Sequence, residues 1–218
     1  QTLSEFTPHM EIYSIDEAFL DFRGMEIDLQ QYGNEIAHKV HKWVGMPVTV
    51  GIARTKTLAK LASHLVKKNP AYANTGKSFY LASEQESEAL KNTPINEIWG
   101  IGRKNSQKLL LRGISNAYEF TQCHDSFVRK LLTVQGLRTK HELLGIPCFA
   151  IEEVPPQKKS ITVSRSFGNV INNKQALQEA IANFAVRGAE KLREQGLYAH
   201  TLMVTARTNP FDKKHQFQ

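Results

Sequence analysis

The chain has 218 residues, of which 41% are hydrophobic, and a net charge of +7 from 28 Lys and Arg against 21 Asp and Glu. This length suits one large domain or two small ones, and the hydrophobic content indicates a packed core rather than disorder. No segment is long and apolar enough to span a bilayer, so the basic charge favours nucleic acid as the polyanionic partner. The two cysteines form neither a metal-ligand pattern nor a disulfide framework, which indicates a reduced, cytosolic protein.

The first predicted element is a hairpin over residues 11–22, with the adjacent carboxylates Asp16 and Glu17 at its centre. A strand-like apolar run normally excludes charge from its middle, so this pair needs water, a cation or a partner. Successive strand residues point to opposite faces, so both carboxylates reach one ion only where the chain bends. We therefore predict arms at Ile12–Ile15 and Ala18–Phe22. The tip either binds Mg²⁺ or is an acidic turn in water.

A helix, a strand and a second helix follow. Apolar residues three or four apart predict a helix over Asp28–Trp43, and a β-branched run predicts a buried strand over Met46–Ala53. Thr55–Lys68 has an apolar stripe along one helical face, with Thr55 as its N-cap. Basic residues spaced four, four and three apart share another face, namely Lys56, Lys60, His64 and Lys67. This row either offers point charges to phosphates or is an ordinary solvated face.

The next elements complete a first layer of structure. Lys77–Ala82 predicts another strand, and Ser83 and Glu86 have the spacing of a capping box at the start of a short helix. The order strand, helix, strand, helix indicates an α/β or α+β layer that closes near Asn92. After that point the composition changes to short helices and glycine turns.

The most informative glycine turn lies in Ile98–Lys104, where hydrophobic residues alternate with glycines before a basic helix. This is the helix-hairpin-helix pattern. Its glycines allow a tight turn that exposes backbone N–H groups at a helix N-terminus, where they bind phosphate without reading base sequence. The alternative is an ordinary turn between two helices. The residues that we expect to contact DNA here are Gly100, Ile101, Gly102, Arg103 and Lys104.

Two further helices are predicted over Asp125–Leu132 and Arg138–Leu144. A linker follows over 152–159, because that stretch contains two prolines and several charges without periodicity.

The last part of the chain predicts a β-α-β unit. Residues 160–168 alternate apolar and polar side chains, as does Tyr198–Thr208, and a helix is predicted over Asn173–Gln195 between them. A sheet formed by these two strands would have an exposed edge. Arg165 is expected at such an edge, and it is a further residue that we expect to contact DNA.

Four segments give the chain a family resemblance. Tyr13–Phe19 resembles the SIDE motif of the Y-family translesion DNA polymerases. Gly51–Ala62 is similar to the palm segment that follows this motif in the family, and the order and spacing agree. Trp99–Arg103 and Ser164–Gly168 are more similar to the UmuC branch of the family than to its sister group, DNA polymerase IV.

The resemblance implies an α+β, multidomain fold. The expected parts are a partial polymerase palm, made of a β-hairpin sheet with helices, a helical thumb with the helix-hairpin-helix, and a partial β-α-β little finger. The expected boundaries are 1–93 for the palm, 94–154 for the thumb, 155–159 for the linker and 160–218 for the little finger.

The resemblance also implies the chemistry. Asp16 and Glu17 match the catalytic carboxylates that hold Mg²⁺ at the primer end, and Lys60 and Lys67 align with lysines near the triphosphate of the incoming nucleotide. Expected substrates are damaged primer-template DNA and deoxynucleoside triphosphates, in DNA repair and the SOS response. Expected partners are a UmuD-type subunit, RecA and the sliding clamp, in the cytoplasm and away from any membrane.

The chain begins at Gln1 and ends in a polar tail, so we expect an internal fragment of a longer protein. It would lack the family's first metal-binding aspartate, the fingers and the clamp-binding segment, and by itself would incorporate no nucleotide. One rival hypothesis is a non-catalytic repair module that binds DNA through Gly100–Lys104. It leaves Asp16, Glu17 and the helix of Lys60 unexplained. Another palm-fold enzyme, such as a nucleotide cyclase, would not need the glycine turn.

Overall fold

The computed structural model describes residues 2–68, 77–154, 157, 159–169 and 171–207. The chain divides into two compact units, Gln1–Pro155 and Pro156–Gln218, and each is described by itself. Within the described ranges, no helix combines the length and the apolar character needed to cross a bilayer.

The first unit contains the predicted hairpin. Strand β1 (Met10–Ile12) pairs with β2 (Ala18–Leu20) in antiparallel register, with Met10 opposite Leu20. The backbone N–H groups of Tyr13 and Ser14 both donate to the Glu17 carbonyl oxygen, at 3.0 Å each. These two bonds close the turn immediately after Ile12, so the first arm lies earlier in the chain than the predicted Ile12–Ile15. The predicted hairpin is confirmed, with residues 13–17 as its loop.

A two-stranded parallel sheet lies between two helices. Strand β3 (Val50–Ile52) pairs with β4 (Ser78–Tyr80), and the helices are α1 (Leu29–Val44) and α2 (Lys56–Lys68). Both helices agree with their predicted ranges to within one residue. The side chains of neighbouring strand residues point to opposite faces, so one face of the sheet packs on α1 and the other on α2.

The contact between β3 and α2 depends on Gly51. A Cβ atom at this position would lie 2.2 Å from both the Ala59 carbonyl oxygen and the Ser63 nitrogen, which belong to the α2 backbone. Only a residue without a side chain allows the strand to approach the helix this closely.

The rest of the first unit is helical. It contains two 3₁₀ turns, Thr2–Glu5 and Ile95–Glu97. Its remaining α-helices are α3 (Ser83–Lys91), α4 (Arg103–Leu110), α5 (Ala117–Thr121) and α6 (Asp125–Leu143). One continuous hydrophobic core extends from α2 to α6. Its fully buried side chains include Leu58, Leu81, Ile95, Leu109, Phe120, Val128 and Leu143.

Helix α6 contains a break that separates the two helices predicted in this region. Thr133 has φ 66° and ψ −169°, which is not helical and is unusual for a β-branched residue. The segments before and after this residue correspond to the predicted Asp125–Leu132 and Arg138–Leu144.

The predicted capping box at the start of α3 is wrong. Helix α3 does begin at Ser83, but no side chain caps it. The Glu86 carboxylate instead accepts two hydrogen bonds from the Arg54 guanidinium, at 2.9 and 2.6 Å. A bidentate pair of this kind is stronger than a single bond to a backbone N–H group, so the ion pair takes the carboxylate away from the cap.

A buried carboxylate connects α6 to the start of α2. Glu142 is 0% exposed, and its carboxylate accepts from the backbone nitrogens of Thr57 at 2.9 Å, Cys148 at 2.6 Å and Phe149 at 3.1 Å. The Glu142 carbonyl oxygen accepts from the Thr55 hydroxyl at 2.8 Å. The Thr55 hydroxyl in turn accepts from the Leu58 nitrogen at 3.3 Å, so Thr55 acts as the predicted N-cap.

The second unit differs from its prediction. Helix α7 (Lys174–Glu194) is confirmed, with the Asn173 side chain accepting from the Gln175 nitrogen at 2.8 Å. The strands expected over 160–168 and 198–208 are not formed in the described part of this unit, and residue 208 lies outside that part. The β-α-β arrangement is therefore corrected to a helix with irregular flanks.

The physical reason is that a strand is stable only when a neighbour pairs with its backbone N–H and C=O groups. Alternation along the chain gives a segment two faces but does not supply that neighbour. Of the linker expected over 155–159, residues 155, 156 and 158 lie outside the described residues.

We predict that Gly51→Ala destabilises the first unit by about 3 kcal/mol, because the new methyl group would collide with the α2 backbone. Urea unfolding followed by Trp fluorescence would measure this. Gly102→Ala is the matched control, since Gly102 has φ −74° and open space around its would-be Cβ, and should change the free energy of unfolding by less than about 1 kcal/mol. Equal effects of the two substitutions would contradict the close-approach explanation.

Candidate active site

The hairpin tip presents the two predicted metal-binding carboxylates. Asp16 is exposed, and its Oδ1 accepts from the Ser14 hydroxyl at 2.8 Å. The Glu17 side chain is 38% exposed, and its Oε1 forms an ion pair with Lys60 Nζ on α2. The tip therefore lies directly beside the basic face of α2.

Two adjacent carboxylates at a bend are suited to a hard cation. Mg²⁺ is commonly held by one or two carboxylates together with substrate phosphates. Asp16 and Glu17 fit that mode. Within the described residues, no three His, Cys, Asp or Glu side chains form a complete cage for a metal ion.

Three of the four basic residues predicted to share a face of α2 border one cleft of about 200 Å³. They are Lys60, His64 and Lys67. The fourth, Lys56, does not border it. Its ammonium group pairs with the buried carboxylate of Glu11 and donates to the Ala150 carbonyl oxygen at 2.6 Å. The four basic residues of the row therefore do not share one environment, because Lys56 pairs with the hairpin while the other three border the cleft.

Glu97 borders the cleft on the side opposite the lysines' own helix. Its carboxylate bonds to Lys68 Nζ at 2.8 Å and to His64 Nε2 at 2.5 Å. The hydrogen bond from Lys68, followed by that from His64, holds the pKa of the Glu97 carboxyl below its usual range despite some desolvation. Lys68 is thus occupied by Glu97, whereas Lys67 has no acidic partner among the described residues.

An aromatic cluster that the sequence analysis missed fixes the hairpin tip. The Trp99 ring lies 5.7 Å from that of Tyr13, 5.8 Å from that of Phe19 and 5.6 Å from that of Phe149. Its indole nitrogen donates to the Tyr13 hydroxyl at 3.3 Å. The pairs with Tyr13 and Phe149 are edge-to-face, and such pairs contribute about 0.5–1.5 kcal/mol each beyond their buried area. A tryptophan directly before Gly100 was the available signal.

The glycine turn after Trp99 exposes four of its five predicted DNA-contacting residues. Gly100 has φ 87°, and Gly102 is the N-cap of α4 without a side-chain bond to the helix. Arg103 and Lys104 are exposed in the first turn of α4. Ile101 differs, because its side chain is 4% exposed and its N–H donates to the Ile98 carbonyl oxygen at 3.0 Å. The structure therefore places Ile101 in the core.

The remaining predicted contact, Arg165, lies in the second unit. Its side chain is exposed, in a stretch that forms no strand. The predicted edge position of Arg165 is therefore corrected, since the described part of the second unit contains no sheet.

We predict that Glu97→Gln makes the free energy of unfolding less dependent on pH in the acidic range. The Glu97 pKa is lowered in the folded state, so its contribution is present above the unfolded pKa and is lost as pH falls through the folded value. Urea unfolding at several pH values between about 3 and 6 should show the wild type losing more stability than the variant. Glu84→Gln, an exposed change on α3, should retain the wild-type slope. Equal slopes for all three proteins would contradict the assignment.

Comparison with known proteins matches both ends of the chain to one family. The profile of the impB/mucB/samB family matches residues 1–64, and that of the impB/mucB/samB family C-terminal domain matches residues 158–218. Protein ImpB of Salmonella typhimurium is 38% identical over 217 residues, and protein UmuC of Salmonella typhimurium strain LT2 is 39% identical over 212 residues. These alignments cover 97% and 96% of this chain and 50% of each relative.

A more distant relative is DNA polymerase IV 2 of Mesorhizobium japonicum, which is 32% identical over 135 residues, covering 61% of this chain and 31% of that protein. Among solved structures, a DinB family error-prone DNA polymerase from Sulfolobus solfataricus superimposes with a TM-score of 0.55 at 23% identity, covering 69% of this chain and 46% of that one. This likeness shows a shared fold of helices and small sheets.

The chain spans about half the length of ImpB and UmuC. Both profiles come from one family, and relatives of that family align along almost the whole chain. The SIDE-like segment of the hairpin agrees with both findings. The chain therefore belongs to the impB/mucB/samB family, within the UmuC-like group of the Y-family.

Proposed function

We propose that the protein containing this chain is an error-prone translesion DNA polymerase that acts in DNA repair and the SOS response. The observation that carries the proposal is the hairpin tip, where Asp16 and Glu17 lie beside Lys60 and next to the cleft bordered by Lys67. The names of similar proteins support it, since they include DNA polymerase IV 2 and a DinB family error-prone DNA polymerase.

The proposed domains follow the family resemblance. Residues 1–93 form part of the palm and 94–154 the thumb, and 155–159 link them to part of the little finger over 160–218. The hairpin and the β3–β4 sheet support the palm assignment, and the helical content of α4 to α6 supports the thumb.

Each polar residue of the site has a proposed task in phosphoryl transfer. Asp16 and Glu17 hold divalent cations, for which we propose Mg²⁺, because adjacent carboxylates suit its preference for oxygen ligands. When bound, such ions lower the pKa of the primer hydroxyl and stabilise charge on the leaving group. Lys60 and Lys67 offset the charge of the triphosphate. Lys67 is the better placed of the lysines at the end of α2, because Glu97 already occupies Lys68.

The proposed DNA contacts are largely independent of base sequence. Backbone N–H groups at the start of α4, together with Arg103 and Lys104, bind the phosphates of the duplex. Gly100 and Gly102 shape the turn, and Arg165 adds a contact from the second unit. A UmuD-type subunit, RecA and the sliding clamp are the proposed partners, in the cytoplasm. A non-catalytic module would use the same turn but would give no task to Asp16, Glu17 or the cleft.

We predict that Asp16→Asn and Glu17→Gln each reduce nucleotide incorporation about 100-fold or more, since stabilisation by a metal ion is worth several kcal/mol. The assay is primer extension opposite an abasic site, with the protein expressed from the complete reading frame. Glu35→Gln, an exposed change on α1, is the control and should leave the rate unchanged. Wild-type rates in both site variants would refute the assignment, and full DNA affinity in inactive variants would show that the fold is intact.

We predict that Arg103→Ala and Lys104→Ala each weaken DNA binding by a similar factor for all sequences. Each lost phosphate contact should make the plot of log affinity against log salt concentration shallower by about 0.9. Fluorescence anisotropy of labelled duplexes over a range of salt concentrations measures both effects. Lys42→Ala, at an exposed position on α1, should leave the slope unchanged. A sequence-dependent loss, or an unchanged slope in both variants, would contradict backbone binding at this turn.

A further inference from the structure

Trp99 connects the glycine turn to the hairpin tip. It directly precedes Gly100, and its ring lies 5.7 Å from the ring of Tyr13, the first residue of the hairpin loop, at an interplanar angle of 74°. The indole nitrogen also donates to the Tyr13 hydroxyl at 3.3 Å. The two proposed metal ligands, Asp16 and Glu17, belong to the same loop. A side chain from outside the hairpin therefore holds the loop that carries both carboxylates.

This loop projects away from the core of the first unit. The Ile15 side chain is fully exposed, and Asp16 is exposed beside it. Asp16 accepts from the Ser14 hydroxyl at 2.8 Å, but Ser14 belongs to the same loop, so this bond does not attach the loop to another element. Ordering an exposed loop when a ligand binds costs free energy. The affinity of the tip for a cation therefore depends on the contacts that hold the loop from outside.

Two side-chain contacts reach the loop from other elements. One is the ion pair of Glu17 with Lys60 on α2, which uses the Glu17 Oε1 oxygen and so competes with a cation for that atom. The other is the contact of Tyr13 with Trp99, which involves neither carboxylate. The aromatic contact therefore remains in place when a cation has taken the Glu17 oxygen.

Trp99 is itself held from both sides. Its neighbour Ile98 is 4% exposed, and the Ile98 carbonyl oxygen accepts from the backbone nitrogen of Ile101, whose side chain is also 4% exposed. On the other side, the indole lies edge-to-face on Phe149, whose backbone nitrogen donates to the buried Glu142 carboxylate at 3.1 Å. The position of the ring is thus set by the core and not by the hairpin.

We propose that Trp99 is a positioning residue for the hairpin tip, which it holds through Tyr13 so that Asp16 and Glu17 meet a divalent cation in a preformed arrangement. Ligands that are already ordered bind more tightly, because less freedom is lost on binding. The inference rests on the proposed polymerase function, which gives the two carboxylates their task. The residue that orders the cation ligands is therefore the direct neighbour in sequence of the turn proposed to bind DNA.

The test is titration of the protein from the complete reading frame with Mn²⁺, with the free ion measured by electron paramagnetic resonance. Mn²⁺ is a spectroscopic probe that shares the preference of Mg²⁺ for carboxylate oxygens. Asp16→Asn defines the part of the binding that belongs to the hairpin tip. The test variants are Trp99→Leu, which removes the aromatic contact, and Trp99→Phe, which keeps an aromatic ring. Trp43→Leu is the matched control, since Trp43 is an exposed tryptophan near the end of α1.

We expect Trp99→Leu to weaken the Asp16-dependent binding of Mn²⁺ about tenfold, because the edge-to-face contact and the hydrogen bond to Tyr13 are both lost. Trp99→Phe should lie within about threefold of the wild type, and Trp43→Leu should bind as the wild type does. If Trp99→Leu fails to fold, Tyr13→Leu breaks the same contact from the exposed loop and should give the same loss. Wild-type affinity in the leucine variant that folds, or an equal loss in Trp43→Leu, would overturn the inference.

Duplex binding in EDTA distinguishes positioning from a general loss of structure. The glycine turn keeps its buried side chains and backbone bonds in Trp99→Leu, so its phosphate contacts and its DNA affinity should stay within about twofold of the wild type. A loss of DNA affinity as large as the loss of Mn²⁺ affinity would show that the turn itself had collapsed, and would overturn the inference.

Primer extension at increasing Mg²⁺ concentration, on the same preparations, separates this inference from the proposed function. Trp99→Leu should need about tenfold more Mg²⁺ for its half-maximal rate. An active wild type with an unchanged Mg²⁺ requirement in Trp99→Leu would overturn the inference alone. Mn²⁺ binding that depends on Asp16 and Trp99 in a protein without polymerase activity would overturn the proposed function, while supporting Trp99 as the positioning residue of a cation site.

Discussion

The first unit depends on the buried carboxylate of Glu142. An ionised carboxylate without partners would cost several kcal/mol to bury, and here it accepts three backbone N–H groups, one of them in the first turn of α2. The N-terminus of a helix also favours negative charge. This one side chain therefore fixes the start of α2 against the end of α6 and against the segment that follows α6. Every functional side chain on α2 takes its position from that junction.

A second junction ties the hairpin to the same place. One carboxylate oxygen of Glu11, on β1, accepts from Lys56 of α2 and from the backbone nitrogen of Glu152, the latter at 2.8 Å. Trp99 adds aromatic contacts from the hairpin to Phe149. The hairpin, α2 and the segment after α6 are thus joined pairwise. As a result, the distance between the carboxylates at the hairpin tip and the cations of α2 is fixed, although the hairpin and α2 are separate elements.

Local patterns predicted what depends on local physics. The bend at Asp16 and Glu17, the helices α1, α2 and α7 and the Thr55 cap each follow from periodicity or from a short-range hydrogen bond. The errors came from partners distant in sequence. Lys56 pairs with Glu11 and does not border the cleft with the other basic residues of its row. Glu86 pairs with Arg54 and does not cap α3. The Ile101 side chain is buried in the core and is not exposed at the turn. Residues 160–168 have the alternation of a strand but no pairing neighbour, which alternation does not encode.

The ion pair between Glu17 and Lys60 would couple the binding of a cation at Glu17 to the binding of a phosphate at Lys60. A cation that took the Glu17 Oε1 oxygen would displace the ammonium group of Lys60, and the released ammonium group would then be available to a phosphate. By thermodynamic reciprocity, a phosphate that draws Lys60 away favours the cation by the same factor. The charges of Glu17 and Lys60 therefore compensate each other in this structure, and under the proposed function the binding of either ligand would favour the binding of the other.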